Sequence, residues 1–269
     1  MPELPEVEAV CRKLREDALG ATITGVRVLR PAAIAPLKPA ELKRRVTGAR
    51  ISGVERRGKN ILVRLSTGDV IHVHLRMTGN FYTVDGERER PPLTRIMFTL
   101  SGGRAIVFED SRALGRLRVY SSAELASVLA GLGPEPLSPD FAFPVFLAAA
   151  RASRAPAKLF LLDQRRVAGL GNIWAAEALF RARVNPARPL RRMSASKLRG
   201  LHRAIVALLR RAVQFAYITY IRPGRLIEAD SFPLAVYGRE GEPCPRCRRP
   251  VRRFTQGGRS TYYCPGCQR

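Results

Sequence analysis

The sequence predicts an α+β protein with a β-rich N-terminal half, a helical second half and a small metal-binding hairpin near the C-terminal end. Three observations lead to this prediction. Short apolar runs separated by turn residues fill positions 22–120. Longer segments with helical spacing follow a proline-rich stretch at 133–141. Four of the five cysteines stand in two Cys-x-x-Cys pairs after residue 243.

The N-terminal half begins with a predicted helix over residues 5–19, which ends before Gly20. Its apolar residues recur at helical spacing on one face: Val7, Val10, Cys11, Leu14 and Ala18. Apolar runs bounded by turn residues then predict four strands, at 61–65, 70–75, 96–100 and 105–109. Their regular spacing favours a compact β-sandwich or barrel.

The second half follows a predicted linker that contains three prolines. Helices are expected at about 156–163, from near Gly171-Asn172 to about Arg181, and at about 195–214. The last of these has a basic face: Lys197, Arg199, Arg203, Arg210 and Arg211. Solvation of a surface helix also produces such a face, so this helix alone does not establish a binding surface.

The charge balance indicates an anionic partner. The 269 residues include 47 Lys+Arg and 22 Asp+Glu, a net charge of +25. Nucleic acid is the usual partner for so large an excess, although a proteome rich in arginine would also produce it. The sequence has no apolar run long enough to span a bilayer, and MPELPEVEAV has the features of neither a secretory signal nor a transit peptide. We therefore expect a cytoplasmic protein.

The two cysteine pairs predict a zinc site. Sixteen residues separate the pairs, which are Cys244 with Cys247 and Cys264 with Cys267. Four thiolates at this spacing can hold one structural Zn²⁺ with no position open for catalysis, so no catalytic metal is expected. Two unrelated redox motifs are the alternative. The residues between the pairs predict a β-hairpin with a glycine turn at 255–259, and its arginines suit a nucleic-acid groove.

The start of the chain suggests a chemical reaction. Pro2 follows the initiator methionine, whose removal would leave a secondary amine at the N-terminus. An α-amine titrates near pH 8, so a useful fraction is neutral and nucleophilic at pH 7. Such an amine can form an iminium at C1′ of a deoxyribose, with Glu3 and Glu6 as nearby acids. Many proteins also begin with Met-Pro, and glutamates favour any helix N-terminus.

Three segments together resemble the formamidopyrimidine-DNA glycosylases and the related endonuclease VIII-type glycosylases. These segments are MPELPEVE at the start, VAGLGNIW at 167–174, and VYGREGEPCPRC with STYYCPGC at the end. The resemblance spans nearly the whole chain. It implies an N-terminal β-sandwich with a leading helix (1–133), a linker (134–141), a helix–two-turn–helix domain (142–235) and a zinc hairpin (236–269). DNA would lie between the halves of a monomer.

The resemblance also implies an activity and roles for individual residues. The enzyme would be a bifunctional glycosylase and abasic-site lyase of base excision repair that cleaves the strand by β- or β,δ-elimination. The implied catalytic residues are Pro2 as nucleophile, Glu3 as acid and base, Glu6 in support and Lys59 at a nearby phosphate. The implied DNA contacts are Lys158, Asn172 and Arg259 at phosphates, and Met77, Arg112 and Leu114 filling the space left by an everted base.

The sequence departs from the family pattern at two places. Leu114 stands where many members have phenylalanine, and a leucine covers less of a neighbouring base. Residues 215–225 lack the glycine- and threonine-rich pattern of members that excise 8-oxoguanine. Formamidopyrimidines, hydantoins, oxidised pyrimidines and unusual adducts therefore stay open as substrates. A non-catalytic binder of damaged DNA and a zinc-ribbon RNA-binding protein are the alternatives, distinguished by borohydride trapping and by competition with RNA.

Overall fold

The computed structural model describes residues 2–86, 90–219 and 232–269. They form two compact units. The first comprises the described residues of 1–130 and 213–230, and the second comprises those of 131–212 and 231–269. No described helix is long and apolar enough to cross a membrane.

The described part of the first unit contains two four-stranded antiparallel sheets and three complete α-helices. The helices are α1 (Leu4–Ala18), α2 (Pro39–Val46) and α3 (Ser122–Leu129). The strands are β1 (Ile23–Val28), β2 (Ile51–Arg57), β3 (Asn60–Leu65), β4 (Asp69–His74), β5 (Gly79–Val84), β6 (Thr94–Leu100), β7 (Ala105–Asp110) and β8 (Arg116–Ser121). One sheet has the order β1-β6-β7-β5 and the other has the order β2-β3-β4-β8.

The two sheets share one apolar core, which makes this unit a β-sandwich. Side chains from both sheets belong to it, including Phe81, Phe98 and Phe108 from one sheet and Val63 and Leu117 from the other. The five apolar residues predicted for one face of α1 are all buried in the same core. The predicted leading helix and sandwich are therefore confirmed, and the barrel alternative is not observed.

Four strands and two helices of this unit were not predicted. The four missed strands are β1, β2, β5 and β8. In β8 the sequence RLRVYS alternates charged and apolar residues, and only Leu117 and Val119 are buried. Helix α3 carries a start signal that could have identified it, because Ser121 and Glu124 form a capping box.

The described part of the second unit contains four α-helices and one hairpin. These elements are α4 (Phe143–Ala152), α5 (Ala157–Leu162), α6 (Asn172–Arg181), α7 (Ala195–Thr219), β9 (Arg252–Gln256) and β10 (Arg259–Tyr263). Helix α6 has the predicted bounds, and α7 continues five residues beyond the predicted end, into the first unit. There Tyr217 donates a hydrogen bond to Glu16 of α1, a contact between distant parts of the chain. The predicted linker lies between α3 and α4 and contains no helix or strand.

Candidate active site and zinc centre

The start of α1 brings together Pro2, Glu3 and Glu6. All three residues are buried, and Glu3 and Glu6 expose 1% and 3% of their surface. The Glu6 carboxylate accepts a hydrogen bond of 2.8 Å from the backbone N–H of Glu3. This bond fixes the first turn of the helix at the residue that follows Pro2. The predicted nucleophile and both predicted acids thus occupy one buried turn of chain.

A partly buried ion pair connects α1 to the turn that carries Lys59. The Arg56 guanidinium donates to Glu8 of α1 at 3.0 Å and to the carbonyl oxygen of Gly58 at 3.0 Å. Gly58 has a φ of 59°, so this turn uses the left-handed region that favours glycine. Lys59 follows it and exposes only 9% of its surface. Sequence reasoning missed Glu8 and Arg56, whose pairing spans 48 residues.

Two neutral histidines lie on β4, near the turn that carries Lys59. Burial, with the positive charge of Arg118, lowers the pKa of His72 to about 4. Burial, with the nearby Arg76, His72 and Lys59, lowers the pKa of His74 to about 4. His72 Nε2 lies 2.8 Å from Asn60 Oδ1. These rings therefore remain uncharged at neutral pH and add no positive charge beside Lys59.

Two neighbouring loops present the residues predicted to fill the space of an everted base. Met77 follows β4 and is 39% exposed, and Leu114 precedes β8 and is 40% exposed. Arg112 lies in the same loop as Leu114 and is also exposed. The Asp110 carboxylate accepts hydrogen bonds from both loops, from Thr78 Oγ1 at 2.5 Å and from the Gly115 N–H at 2.7 Å. The structure thus brings these three predicted residues to one surface of the first unit.

In the second unit, two of the residues predicted to contact DNA, Lys158 and Asn172, bond to the same backbone carbonyl group. That carbonyl belongs to the residue after Arg259, the third predicted contact. Asn172 is the first residue of α6, and its side-chain amide donates to the carbonyl oxygen of Ser260 at 3.0 Å. It does not cap the helix. Lys158 is fully buried, and its ammonium group donates to Ser260 O at 2.7 Å and to Thr261 Oγ1 at 2.8 Å. Arg259 is exposed and immediately precedes Ser260.

Lys158, for which the resemblance implies a phosphate contact, bonds to oxygens of the protein itself. Its ammonium group is directed into the protein, where two oxygens of the hairpin accept its protons. The physical reason lies in the tertiary structure, because α5 packs beside the hairpin and an unpaired buried ammonium would be costly. The contact joins residues 102 and 103 positions apart, which sequence spacing cannot reveal.

The four predicted zinc ligands lie together at the base of the hairpin. All four sulfur atoms are within 4.8 Å of one another: Cys244, Cys247, Cys264 and Cys267. Cys244 and Cys267 Sγ are 3.8 Å apart, and Cys247 and Cys264 Sγ are 3.4 Å apart. A Zn²⁺ ion with four sulfurs at about 2.3 Å requires edges of about 3.8 Å. The cluster therefore fits a tetrahedral zinc ion, and the Arg246 N–H donates to Cys244 Sγ as it would to a thiolate.

Three family models match successive parts of the chain. The formamidopyrimidine-DNA glycosylase N-terminal domain matches residues 1–117, and the helix–two-turn–helix domain of that family matches 132–221. A zinc finger found in this family and in isoleucyl-tRNA synthetases matches 241–269. A formamidopyrimidine-DNA glycosylase of Thermus thermophilus is 44% identical over all of this chain and 98% of its own.

The chain belongs to the formamidopyrimidine-DNA glycosylase family. A second relative, from Geobacillus kaustophilus, is 39% identical over the full length of both chains. The crystal structure of the Lactococcus lactis family member, non-covalently bound to DNA containing an abasic site, has a TM-score of 0.89 to this chain. The two are 29% identical, and the alignment covers 99% of each. The family's zinc finger includes the four clustered cysteines, which hold one structural zinc ion.

Proposed function

We propose that this protein removes damaged bases from DNA with the Pro2 amine as nucleophile and then cleaves the strand at the resulting abasic site. Membership of the family makes it a DNA glycosylase with abasic-site lyase activity in base excision repair. The observation that carries the assignment to Pro2 is the buried first turn of α1. There the residue that can become a secondary amine is followed by two buried carboxyl groups.

The proposed reaction follows from the chemistry of a secondary amine. The neutral nitrogen of Pro2 attacks C1′, and the damaged base departs with the glycosidic electron pair and takes up the proton that the Pro2 nitrogen loses on bonding to C1′. Glu3 donates a proton to the ring oxygen, the sugar opens and an iminium ion links Pro2 to C1′. The iminium acidifies the C2′ proton. Loss of that proton expels the 3′ phosphate by β-elimination, and water then releases the enzyme.

The DNA backbone is bound by positive groups and amides on both units. Lys59 lies in the turn that Arg56 holds to α1, so we assign it to a phosphate near the damaged nucleotide. Arg259 is exposed at the hairpin turn and suits a second phosphate, with Asn172 holding the adjacent Ser260 carbonyl. Because the net charge is +25, we expect binding to weaken steeply as salt rises.

For the substrate we propose oxidised and ring-opened bases. The solved relatives include Lactococcus lactis complexes with DNA containing Fapy-dG. The sequence of residues 215–225 departs from the pattern of members that excise 8-oxoguanine, and residues 220–225 lie outside the described residues.

The proposed functional divisions of the chain are 1–133, 134–141, 142–235 and 236–269. The proposed location is the cytoplasm, on the nucleoid DNA.

Strand cleavage by Pro2 variants tests this proposal. Pro2→Gly retains an N-terminal amine but loses the secondary amine, and an N-terminal extension blocks the amine altogether. We expect each to slow cleavage of a formamidopyrimidine duplex by about a hundredfold or more. Pro5→Ala is the matched control, because it changes a buried proline in the same helical turn and leaves the amine intact. Normal cleavage by the extended protein, with the extension confirmed by mass spectrometry, would overturn the proposal.

A further inference from the structure

The two loops that present Met77 and Leu114 have the same local construction. Each exposed apolar side chain follows a residue in the left-handed region, Arg76 with φ 57° and Ala113 with φ 53°. These two residues are half of the four non-glycine residues with positive φ in the described part of the chain. Non-glycine residues adopt this conformation at a cost, which the surrounding contacts must offset. Both loops are therefore held in shape by specific contacts.

Asp110 supplies contacts to both loops at once. Its side chain exposes 1% of its surface, and one oxygen accepts from Thr78 Oγ1 at 2.5 Å and from the Arg112 N–H at 3.2 Å. The other oxygen accepts from the Gly115 N–H at 2.7 Å. Thr78 Oγ1 also accepts from the Arg112 N–H at 3.2 Å, so one hydroxyl bridges the loops.

The ends of both loops are closed by glycines that admit no side chain. A Cβ at Gly79 would approach the Leu75 carbonyl oxygen to 2.4 Å, and a Cβ at Gly115 would approach the Phe108 ring to 2.5 Å. The Gly79 N–H donates to Leu75 O at 3.0 Å, which closes the turn over Met77. Each loop is thus closely packed at its base, and the hydrogen bonds through Asp110 connect one loop to the other.

We propose that Thr78 and Asp110 form a latch that holds Met77 and Leu114 as one preformed wedge for the space left by the damaged base. This inference rests on the proposed function and names two positioning residues for its base-eversion step. Leu114 covers less area than an aromatic ring, so the wedge depends on both side chains keeping a fixed separation. A wedge set in advance avoids the entropy cost of ordering two loops on the DNA.

The latch acts only where an intact base must leave the stack. Breaking the latch should slow excision of a paired lesion, because the inserted side chains then compensate less of the free-energy cost of unpairing and unstacking the base. It should leave the chemistry at Pro2 unchanged. A preformed abasic site has no base to evert, so its cleavage should depend much less on the latch.

Variants of Thr78 test the latch with small risk to folding, because this residue is exposed. Thr78→Val keeps the shape and removes the bridging hydroxyl, and Thr78→Ser restores a hydroxyl. Thr83→Val is the matched control. It removes a threonine–aspartate hydrogen bond of 2.6 Å to Asp17 near the C-terminal end of β5, the strand that directly follows Thr78.

The measurements are single-turnover rates on two duplexes, one with a formamidopyrimidine opposite cytosine and one with a preformed abasic site. Fluorescence of 2-aminopurine beside the lesion reports eversion directly. We expect Thr78→Val to slow both excision and the fluorescence rise about tenfold. Cleavage at the abasic site should change less than about threefold, and Thr78→Ser and Thr83→Val should behave as wild type.

Excision by Thr78→Val at the wild-type rate would overturn the latch. Equal losses on both duplexes, or equal losses in Thr83→Val, would also overturn it, because they indicate general destabilisation. Failure of the wild-type protein to cleave even the abasic duplex would instead contradict the proposed function, so the two failures are distinguishable.

Discussion

Glu177 of α6 holds the segment that leads into the zinc hairpin, and its replacement should destabilise the second unit. The side chain is fully buried. Its Oε1 atom accepts from the backbone N–H groups of Ala235, Val236 and Tyr237 at 3.0, 2.8 and 3.0 Å. Its Oε2 atom accepts a second contact from Ala235 at 2.9 Å. One carboxylate thus satisfies three successive amides.

The expected loss of stability depends on how many backbone amide groups each variant leaves without a hydrogen-bond acceptor. Glu177→Leu removes the acceptor of three amides, and each such donor costs about 1–3 kcal/mol. We expect a loss of about 3–9 kcal/mol in the free energy of unfolding. Glu177→Gln can keep Oε1 in place and loses only the charge and the Oε2 contact, so the expected loss is about 1–2 kcal/mol.

Urea unfolding, monitored by tryptophan fluorescence, measures the stability of the second unit. Trp174 is the only tryptophan, lies on α6 one turn before Glu177 and is buried. Glu240→Gln is the matched control, because Glu240 is a half-exposed glutamate paired with Arg253 at 2.6 Å. Its expected loss is below about 1 kcal/mol. A Glu177→Leu protein within 1 kcal/mol of wild type would refute the reasoning.

Three further predictions concern a lysine, a cysteine and a histidine. Lys158→Met should weaken DNA binding about tenfold, and the slope of log K for DNA association against log salt concentration should stay within about 0.3 of the wild-type slope. A slope whose magnitude falls by about 0.9 would instead show a direct contact with a phosphate. Cys264→Ser should lose the zinc ion, measured by elemental analysis. Cys11→Ser, which changes a buried thiol whose pKa is raised to about 12 by burial, should retain it; equal zinc contents would contradict the assignment. As the pH falls from 6.5 to 5, His72 takes up a proton in the unfolded chain but not in the folded protein, whose His72 has a pKa of about 4. The free energy of unfolding of the wild type should therefore fall by about 1–2 kcal/mol more than that of His72→Gln over this range. Above pH 7 the pH dependence of the two proteins should be the same. Parallel stability curves over that range would refute this.

Features set by local spacing could be predicted from the sequence. The zinc ligands follow from two Cys-x-x-Cys pairs, and the leading helix and its buried face follow from apolar periodicity. Pro2 and Glu3 were identified because they adjoin each other at the chain start. These predictions need no knowledge of which distant residues meet in the folded chain.

Features set by long-range contacts could not be predicted. The Glu8–Arg56 pair spans 48 residues, and the Thr78–Asp110 hydrogen bond spans 32. Glu177 carried a weak signal, since a lone acid in the apolar run NIWAAEALF demands partners if it is buried. Lys158 forms another such contact, because its ammonium group donates to hairpin oxygens 102 and 103 positions away, while its phosphate contact stays a prediction.

The nitrogen that becomes linked to the DNA distinguishes the proposed mechanism from its alternatives most directly. Borohydride reduces an iminium to a stable bond, so incubating the protein with an abasic duplex and borohydride should trap a covalent complex. Protein confirmed to begin at Pro2 should give the adduct, and sequencing should place it on the Pro2 nitrogen. An adduct on a lysine instead, or no adduct with this abasic DNA, would contradict the proposed mechanism.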